Sequence, residues 1–359
     1  MDRAESRDRL LIVSDTMPPD PNGIALIAFH TAELLSQSFD VHVVGAAGAR
    51  FLAPGITYTG IPRLPIGTPD LHVPRPAFGV IARAVAAADR VVVHTPGPLG
   101  LAALHYARRA GKHTTLFQHN DYPALVKYGL PRTIAAPLLE RMAARIHHWS
   151  IHAATRVVAP TRSSNDARCE VLRLDPPDYP NSNGRARSEH ERLTIAYHGR
   201  VSREKAVDAL VRAIHAADPE RRLLRLRIVG DGSQLLPTLR LASALGVLVE
   251  HVPWCTEPRR ALVDAAMYVT ASRTETYSIT TLEAMGCGLP IIARRVGNIP
   301  GYVTDGSNGL LFDVDEQLPG LIKRLTLDDG LRHHLGESAR KHATSRSIWE
   351  QFAGAAVGQ

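Results

Sequence analysis

Two glutamates eight positions apart, Glu275 and Glu283, lie in the run Ser272-Arg-Thr-Glu-Thr-Tyr-Ser-Ile-Thr-Thr-Leu-Glu-Ala-Met-Gly-Cys-Gly-Leu-Pro290. Carboxylates accept hydrogen bonds from hydroxyls and are natural ligands for a sugar. The flanking elements decide whether both can face one ligand. Met267-Tyr-Val-Thr-Ala271 reads as a strand and Ile279-Thr-Thr-Leu-Glu-Ala-Met285 as a helix, so Glu275 falls in the strand-to-helix loop and Glu283 in the first helical turns. The amides of Tyr277 to Thr280 would then be donors at a helix N-terminus, a seat for phosphate. Acids that grip hydroxyls beside amides that grip phosphate suit a nucleotide sugar.

A second cluster carries positive charge. Gly199-Arg-Val-Ser-Arg-Glu-Lys205 follows the strand pattern Leu193-Thr-Ile-Ala-Tyr-His198 and precedes a helical pattern with Val207, Leu210, Val211 and Ile214. Gly199 permits a tight exit from the strand, and Arg200 and Lys205 can converge on one diphosphate. Arg203 and Glu204 read as solvated members of a charged loop. Gly230-Asp231-Gly232 follows another strand pattern, where a plain turn and a ligand contact stay equally open. The first loop, Asp15 to Gly23, holds no complete GxGxxG, so dinucleotide binding is not favoured.

Short apolar runs alternate with helical patterns along the whole chain. Leu10–Ser14, Val41–Val44, Val91–His94, Thr114–Gln118 and Val157–Ala159 form one series. Leu193–His198, Leu226–Val229, Val247–Val249, Tyr268–Ala271 and Ile291–Ala293 form another. Alternation of this kind predicts parallel sheets covered by helices, hence an α/β chain of two doubly wound units. The expected division is a first domain over 1–174, a turn-rich linker over 175–188, a second domain over 189–343 and a terminal helix over 344–359. Ligands gather beyond the carboxyl ends of such strands, which points to a cleft between the units.

At 359 residues with 45% apolar content, the chain can bury two cores. A net charge of +7 comes without a basic run or a nucleic-acid motif, and only five of the 42 basic residues are lysines, so nucleic acid is not an expected partner. Such a surface also suits anionic nucleotides or an anionic membrane face. No apolar stretch is long enough to span a bilayer and the first nine residues are too polar to open a signal peptide, so a cytoplasmic protein is expected. Cys169, Cys255 and Cys287 lack the spacing of a disulfide framework or a zinc site.

The block from Glu275 to Pro290, continued by Pro290-Ile-Ile-Ala293 and Asp305-Gly-Ser-Asn-Gly-Leu-Leu-Phe312, resembles the Glu-x7-Glu signature of the family 4 retaining glycosyltransferases. That resemblance implies the GT-B fold, two Rossmann-like domains facing across a cleft. It also implies that Arg200 and Lys205 hold the donor diphosphate, that Glu275 binds donor-sugar hydroxyls, and that Glu283 binds the ribose. Gly199, Gly230, Asp231 and Ile279 join the donor site, as do Thr276, Tyr277 and Ser278, which stand where Gly-Phe-Gly is common. Pro18-Pro-Asp-Pro-Asn-Gly23 resembles the family's first loop, with Asn22 replacing a glycine and Gly23 a donor-site candidate; an asparagine there tolerates left-handed geometry.

Phe117-Gln-His-Asn-Asp-Tyr-Pro123 resembles the His-Thr-Asp-Phe-Pro segment of mannosyltransferase and sulfoquinovosyltransferase branches. His119 is thereby a catalytic candidate with Glu275, Arg200 and Lys205, and Asp121 and Tyr122 fall on the acceptor side. The expected reaction moves a hexose from a nucleoside diphosphate sugar, with GDP-mannose ahead of a UDP-hexose, to an acceptor hydroxyl on a lipid, a glycan or a small natural product. A GT-B sugar-nucleotide epimerase and a catalytically silent nucleotide-sugar-binding protein are the alternatives. No cofactor and no metal is expected, since no carboxylate pair is read as a metal bridge to the diphosphate. Residues 132–155 read as a helix with Ile134, Leu138, Leu139, Met142 and Ile146 on one stripe and Arg141, Arg145, His147 and His148 elsewhere. Packing on its own domain is the favoured reading, and peripheral contact with the inner membrane face is the other.

Overall fold

The computed structural model describes residues 7–20, 22–51, 53–68, 71–119, 136–160, 169–179, 192–254, 262, 264–341, 343, 345 and 347–358. They fall into two compact units, one of residues up to Arg173 together with the segment from Trp349, the other from Leu174 to Ile348.

Unit 1 is a parallel sheet of β1 (Arg9–Ser14), β2 (Asp40–Ala46), β3 (Ile56–Ile61), β6 (Arg90–Val93), β7 (His113–Phe117), β8 (Arg156–Ala159) and β9 (Cys169–Val171) in the order β3-β2-β1-β6-β7-β8-β9. A separate antiparallel ribbon joins β4 (Arg63–Thr68) to β5 (Leu71–Pro74). Its helices are α1 (Gly23–Leu35), α2 (Phe78–Ala87), α3 (Pro98–Arg109) and α4 (Ala136–Ala153). Unit 2 is a parallel sheet of β10 (Leu193–His198), β11 (Leu224–Val229), β12 (Val249–Val252), β13 (Met267–Thr270), β14 (Ile291–Arg294) and β15 (Gly309–Phe312) in the order β12-β11-β10-β13-β14-β15. It carries α5 (Val207–Ala217), α6 (Leu235–Leu245), α7 (Ile279–Gly286), α8 (Leu318–Leu327) and α9 (Asp329–Arg340). Every residue of β10 and of β13 is buried, whereas Arg225 and Arg227 of β11 are only partly buried.

Strands absent from the sequence reading include β3, β9 and β15, each at a sheet edge; β9 and β15 are only three and four residues long, and β3 mixes threonine and glycine with its apolar residues, so the pattern is weak. The expected strand at Val247–Val249 is displaced to Val249–Val252. Gly246 ends α6 with φ +68°, and the Val247 amide donates back to the Ala242 carbonyl at 2.9 Å, so Val247 still serves the helix cap.

The first residues of the expected linker are held on unit 2. Pro176 and Pro177 are buried, a Cβ on Gly286 would collide with the Pro177 carbonyl, and Arg340 donates to Asp178. Residues 180–188 lie outside the described ones. The last helix, α10 (Ile348–Val357), contributes to unit 1: Trp349 stacks on His30 at 4.7 Å, Arg156 donates to the Ala355 carbonyl, and Phe352 is the fully buried anchor. Among the described residues, no helix is long and apolar enough to cross a membrane.

The strand order reverses between β1 and β6 in unit 1, and between β10 and β13 in unit 2. Loops leaving such neighbouring strands part to opposite faces of the sheet and open a crevice, the usual place for a ligand.

Candidate active site at the switch point of unit 2

The β10 loop supplies Gly199 to Lys205 and the β13 loop supplies Ala271 to Ser278, so both clusters singled out in the sequence meet at one crevice. Lys205 Nζ donates to Glu275 Oε1 at 2.7 Å across a sequence separation of 70 residues. Arg200 donates to Glu204 Oε1 at 2.8 Å, and Ser202 Oγ donates to the same oxygen at 2.5 Å. A short 3-10 turn over Arg203–Lys205 makes this possible, followed by Ala206 at φ +50°, a left-handed conformation that turns the chain into α5.

Glu204 corrects the sequence reading. It is buried, and its carbonyl accepts from the Arg273 amide at 2.7 Å, which ties the cationic loop to the loop of Glu275. Burial pushes its carboxyl up, but Arg200 and Ser202 more than reverse this and hold it below the ordinary range. Arg200 is thus aimed by a charged partner that is itself fixed.

Glu275 is backed by Gly297, which has φ +55° and where a Cβ would collide with the Glu275 carbonyl. The following Asn298 amide donates to the Thr276 carbonyl at 3.3 Å. Beneath the loops lie phenols: Tyr197 donates to the Arg200 carbonyl at 2.7 Å, Tyr302 to the Tyr277 carbonyl at 3.1 Å, and Tyr268 pairs with Thr280 Oγ1 at 2.9 Å. Burial pushes all three upward, so they are neutral donors that brace the loop backbone. Gly297, Glu204 and these tyrosines act through non-local contacts that no local spacing announces.

No side chain caps α7, whose N-cap residue Ser278 sits at φ +44°, ψ +58° with its hydroxyl paired to Thr281 Oγ1 at 2.9 Å. Glu283, on the first turns, is buried with Oε2 3.4 Å from His198 Nδ1, at the end of β10. Gly230 and Gly232 serve backbone geometry, one of the two roles left open by the sequence. A Cβ on either would collide with the Gly199 or Val201 carbonyl, so they let the two loops pack backbone to backbone. The Asp231 carboxylate is turned to the end of β12, where it accepts from the Trp254 amide at 2.8 Å.

The chain does contain one Asp-x-Asp, Asp313-Val-Asp315, which the sequence reading passed over. Both carboxylates face arginines: Asp315 pairs with Arg294, and Asp313 lies 3.4 Å from Arg295. Among the described residues, no cluster of three or more His, Cys, Asp or Glu side chains could hold a metal ion.

In unit 1, His119 is buried, with Nε2 2.9 Å from Nδ1 of His94, the first residue after β6. Phe117 lies 4.9 Å from His94, and Phe352 lies 5.9 Å from His119. Burial drives His94 down to about 3, and burial together with His94 takes His119 well below its usual value, so both rings are neutral. Asp121 and Tyr122 lie outside the described residues. Gly23 opens α1 and is exposed; Asn22, expected to support a left-handed turn, is instead extended at φ −146° and caps α1, accepting from the Ala25 amide at 2.9 Å.

The switch point of unit 1 is closed by the protein itself. Asp15, the first residue after β1, accepts from Thr95 Oγ1 at 2.7 Å and from the amides of Gly97, Leu99 and Gly100 at 3.0, 2.8 and 3.3 Å. Its carboxylate fills the N-terminus of α3.

Comparison with known proteins agrees with this geometry. Residues 21–178 match the family described as Glycosyltransferase Family 4, and residues 180–342 match Glycosyl transferases group 1. A GDP-mannose-dependent alpha-mannosyltransferase of Mycobacterium tuberculosis (strain CDC 1551 / Oshkosh) is 27% identical over 96% of this chain and 85% of its own. Among solved structures, a sucrose-phosphate synthase from Thermosynechococcus elongatus superposes with a TM-score of 0.76 at 18% identity, covering 97% of this chain and 96% of that one. Anabaena HepE in complex with UDP-glucose superposes with a TM-score of 0.73 at 15% identity, covering 98% of this chain and all of that one, 100%. Two glycosyltransferase families thus divide the sequence between them and the whole chain follows a known glycosyltransferase architecture: the protein belongs to the family 4 glycosyltransferases and has the GT-B fold.

Proposed function

We propose that this enzyme transfers a hexose from a nucleoside diphosphate sugar to an acceptor hydroxyl with retention of anomeric configuration, without a metal. The observation that carries the reading is the meeting of Arg200, Lys205 and Glu275 at the switch point of unit 2, beside the uncapped start of α7. As the glycosidic bond breaks, negative charge grows on the diphosphate and positive charge on the anomeric carbon. Arg200, Lys205 and the amide of Ile279 face the first, while the Gly199 amide is held in the sheet by the Val229 carbonyl at 2.9 Å and Gly199 serves the site by its tight exit from β10; Glu275 faces the second and orients the sugar hydroxyls. Glu283 takes the ribose, and Thr276, Tyr277 and Ser278 shape the sugar pocket. The leaving phosphate assists deprotonation of the acceptor on the same face, so no protein nucleophile is needed. His119, with Asp121 and Tyr122, serves the acceptor side as a neutral hydrogen-bonding group.

GDP-mannose is the favoured donor, supported by the name of the mycobacterial relative and by the segment around His119; UDP-hexoses come next, the class bound by the Anabaena protein. The test is incubation with a panel of GDP- and UDP-sugars and candidate acceptors in the presence of chelator, following released nucleotide, sugar and the anomeric proton signal. Product retaining the donor's α configuration supports the reading. An inverted product, donor conversion without acceptor, or binding without turnover would each replace it, the last two with an epimerase or a silent binding protein.

A further inference from the structure

We propose that helix α4 docks this enzyme onto an anionic lipid surface through its apolar face. A surface helix of a globular domain normally turns its apolar stripe inward. Here Leu138, Leu139, Met142, Ile146 and Trp149 remain 62%, 40%, 49%, 38% and 37% exposed. At ~100° per residue they share one arc of about 100° along the helix. The sequence reading favoured packing of this stripe on its own domain; the structure turns it outward. Among the described residues of the helix, the buried ones are Ser150, Ile151 and Ala153 at its C-terminal end, and His147 pairs with Gln118 at 3.2 Å.

The charges beside the stripe select the occupant. Arg141, Arg145, His148 and His152, all exposed, fall in the adjoining sector, whereas Glu140, the one acid in the helix, lies far from the apolar arc. An apolar arc bordered by arginines fits a bilayer interface, where the arc enters the acyl boundary and the guanidinium groups meet anionic headgroups. A second copy of this chain is the poorer partner, since it brings the same basic border and the same net charge of +7. The inference depends on neither the donor nor the acceptor.

The full chain is sedimented with phosphatidylcholine vesicles that hold either no anionic lipid or about a third phosphatidylglycerol. Binding is expected only to the anionic vesicles, weakening as salt is raised. Trp149 reports the geometry: its fluorescence shifts to the blue on binding, and Trp149→Phe removes that shift while binding persists. Arg141→Gln with Arg145→Gln lowers the partition by roughly 20-fold. Leu138→Glu with Met142→Glu reduces it to the level of neutral vesicles, with circular dichroism and thermal unfolding showing that each variant stays folded. Equal binding to neutral and anionic vesicles, no binding by the folded wild type, or a dimer dispersed by Leu138→Glu with Met142→Glu while vesicle binding is unchanged would each overturn the proposal.

Discussion

The two switch points begin from the same backbone plan and end as opposites. In unit 1, the first residue after the first central strand is Asp15, and its carboxylate is spent on Thr95 and three amides at the start of α3. In unit 2 the corresponding first residue is Gly199, no side chain caps α7, and the charges nearby pair with one another as Arg200–Glu204 and Lys205–Glu275. A helix N-terminus is an anion site by construction. One unit satisfies it with its own side chain; the other leaves it without a side-chain cap, the feature on which the proposed donor site rests. The fold therefore supplies the seat twice, and a single side chain at the strand end decides whether it stays open.

The contrast is broken most directly by mutating both sides of it. Glu275→Gln is expected to keep the fold and lower turnover on the order of 100- to 1000-fold, because an amide cannot supply the charge that a developing oxocarbenium ion needs. Arg200→Ala and Lys205→Ala should each weaken GDP or UDP binding about 10- to 100-fold by calorimetry, the size of a charge-assisted hydrogen bond. Asp15→Ala should do the reverse, costing about 3–5 kcal/mol in denaturant unfolding by stranding buried amides, while nucleotide affinity in the folded fraction stays unchanged. Loss of nucleotide affinity in Asp15→Ala with normal stability would show that unit 1 also presents an anion site.

The units should also differ in their response to acid. His94 has an ordinary value of 6.5 and is held near 3 by burial. Between those values the unfolded chain binds a proton that the folded chain refuses, so stability falls as pH drops through that window. The slope is about 1.4 kcal/mol per pH unit for one such histidine, and His119 adds to it in the same direction. Asp15, pushed up by burial, holds its proton more tightly when folded and opposes the loss toward the acid end of the window. Denaturant midpoints measured from pH 7 to pH 4.5 should decline, and His94→Phe should flatten the decline. A slope unchanged in His94→Phe would place the acid sensitivity elsewhere.

What could be read in advance follows from what is local. Arg200, Lys205 and Glu275 were legible because each sits in a loop that leaves a strand pattern, and Glu283 because it lies in the first turns of the helix that follows; strand ends at a switch point are where α/β sheets hold ligands. Glu204 reads as a solvated charge because nothing in Arg203-Glu-Lys205 reveals the Ser272 hydroxyl and the Arg273 amide that donate to its carbonyl. Gly297 is 22 residues from the Glu275 it supports, and His94 is 25 residues from His119. The stripe of α4 was visible as a period, but a period does not say which way the stripe faces. Asparagine tolerates left-handed geometry and is equally suited to an N-cap; at Asn22 the structure uses the second property.

A smaller effect tests whether the open site is held under strain. Ala206 and Ser278, two of the four non-glycine residues with positive φ among the described residues, lie directly after Lys205 and in the loop after Glu275. Left-handed geometry costs an L-residue roughly 1–2 kcal/mol, and such residues persist where surrounding structure holds them in place. Ala206→Gly and Ser278→Gly should relieve that strain, partly offset by the extra freedom of glycine in the unfolded chain and, for Ser278, by loss of the bond to Thr281. The net expectation is a gain of about 0.5–1 kcal/mol for Ala206→Gly and near zero for Ser278→Gly in denaturant unfolding. If the strain also keeps the loops in a binding geometry, nucleotide affinity should fall several-fold in the same variants even though stability does not. Unchanged affinity with raised stability would mean that the two residues only turn the chain, and that the ion pairs alone position Lys205 and Glu275.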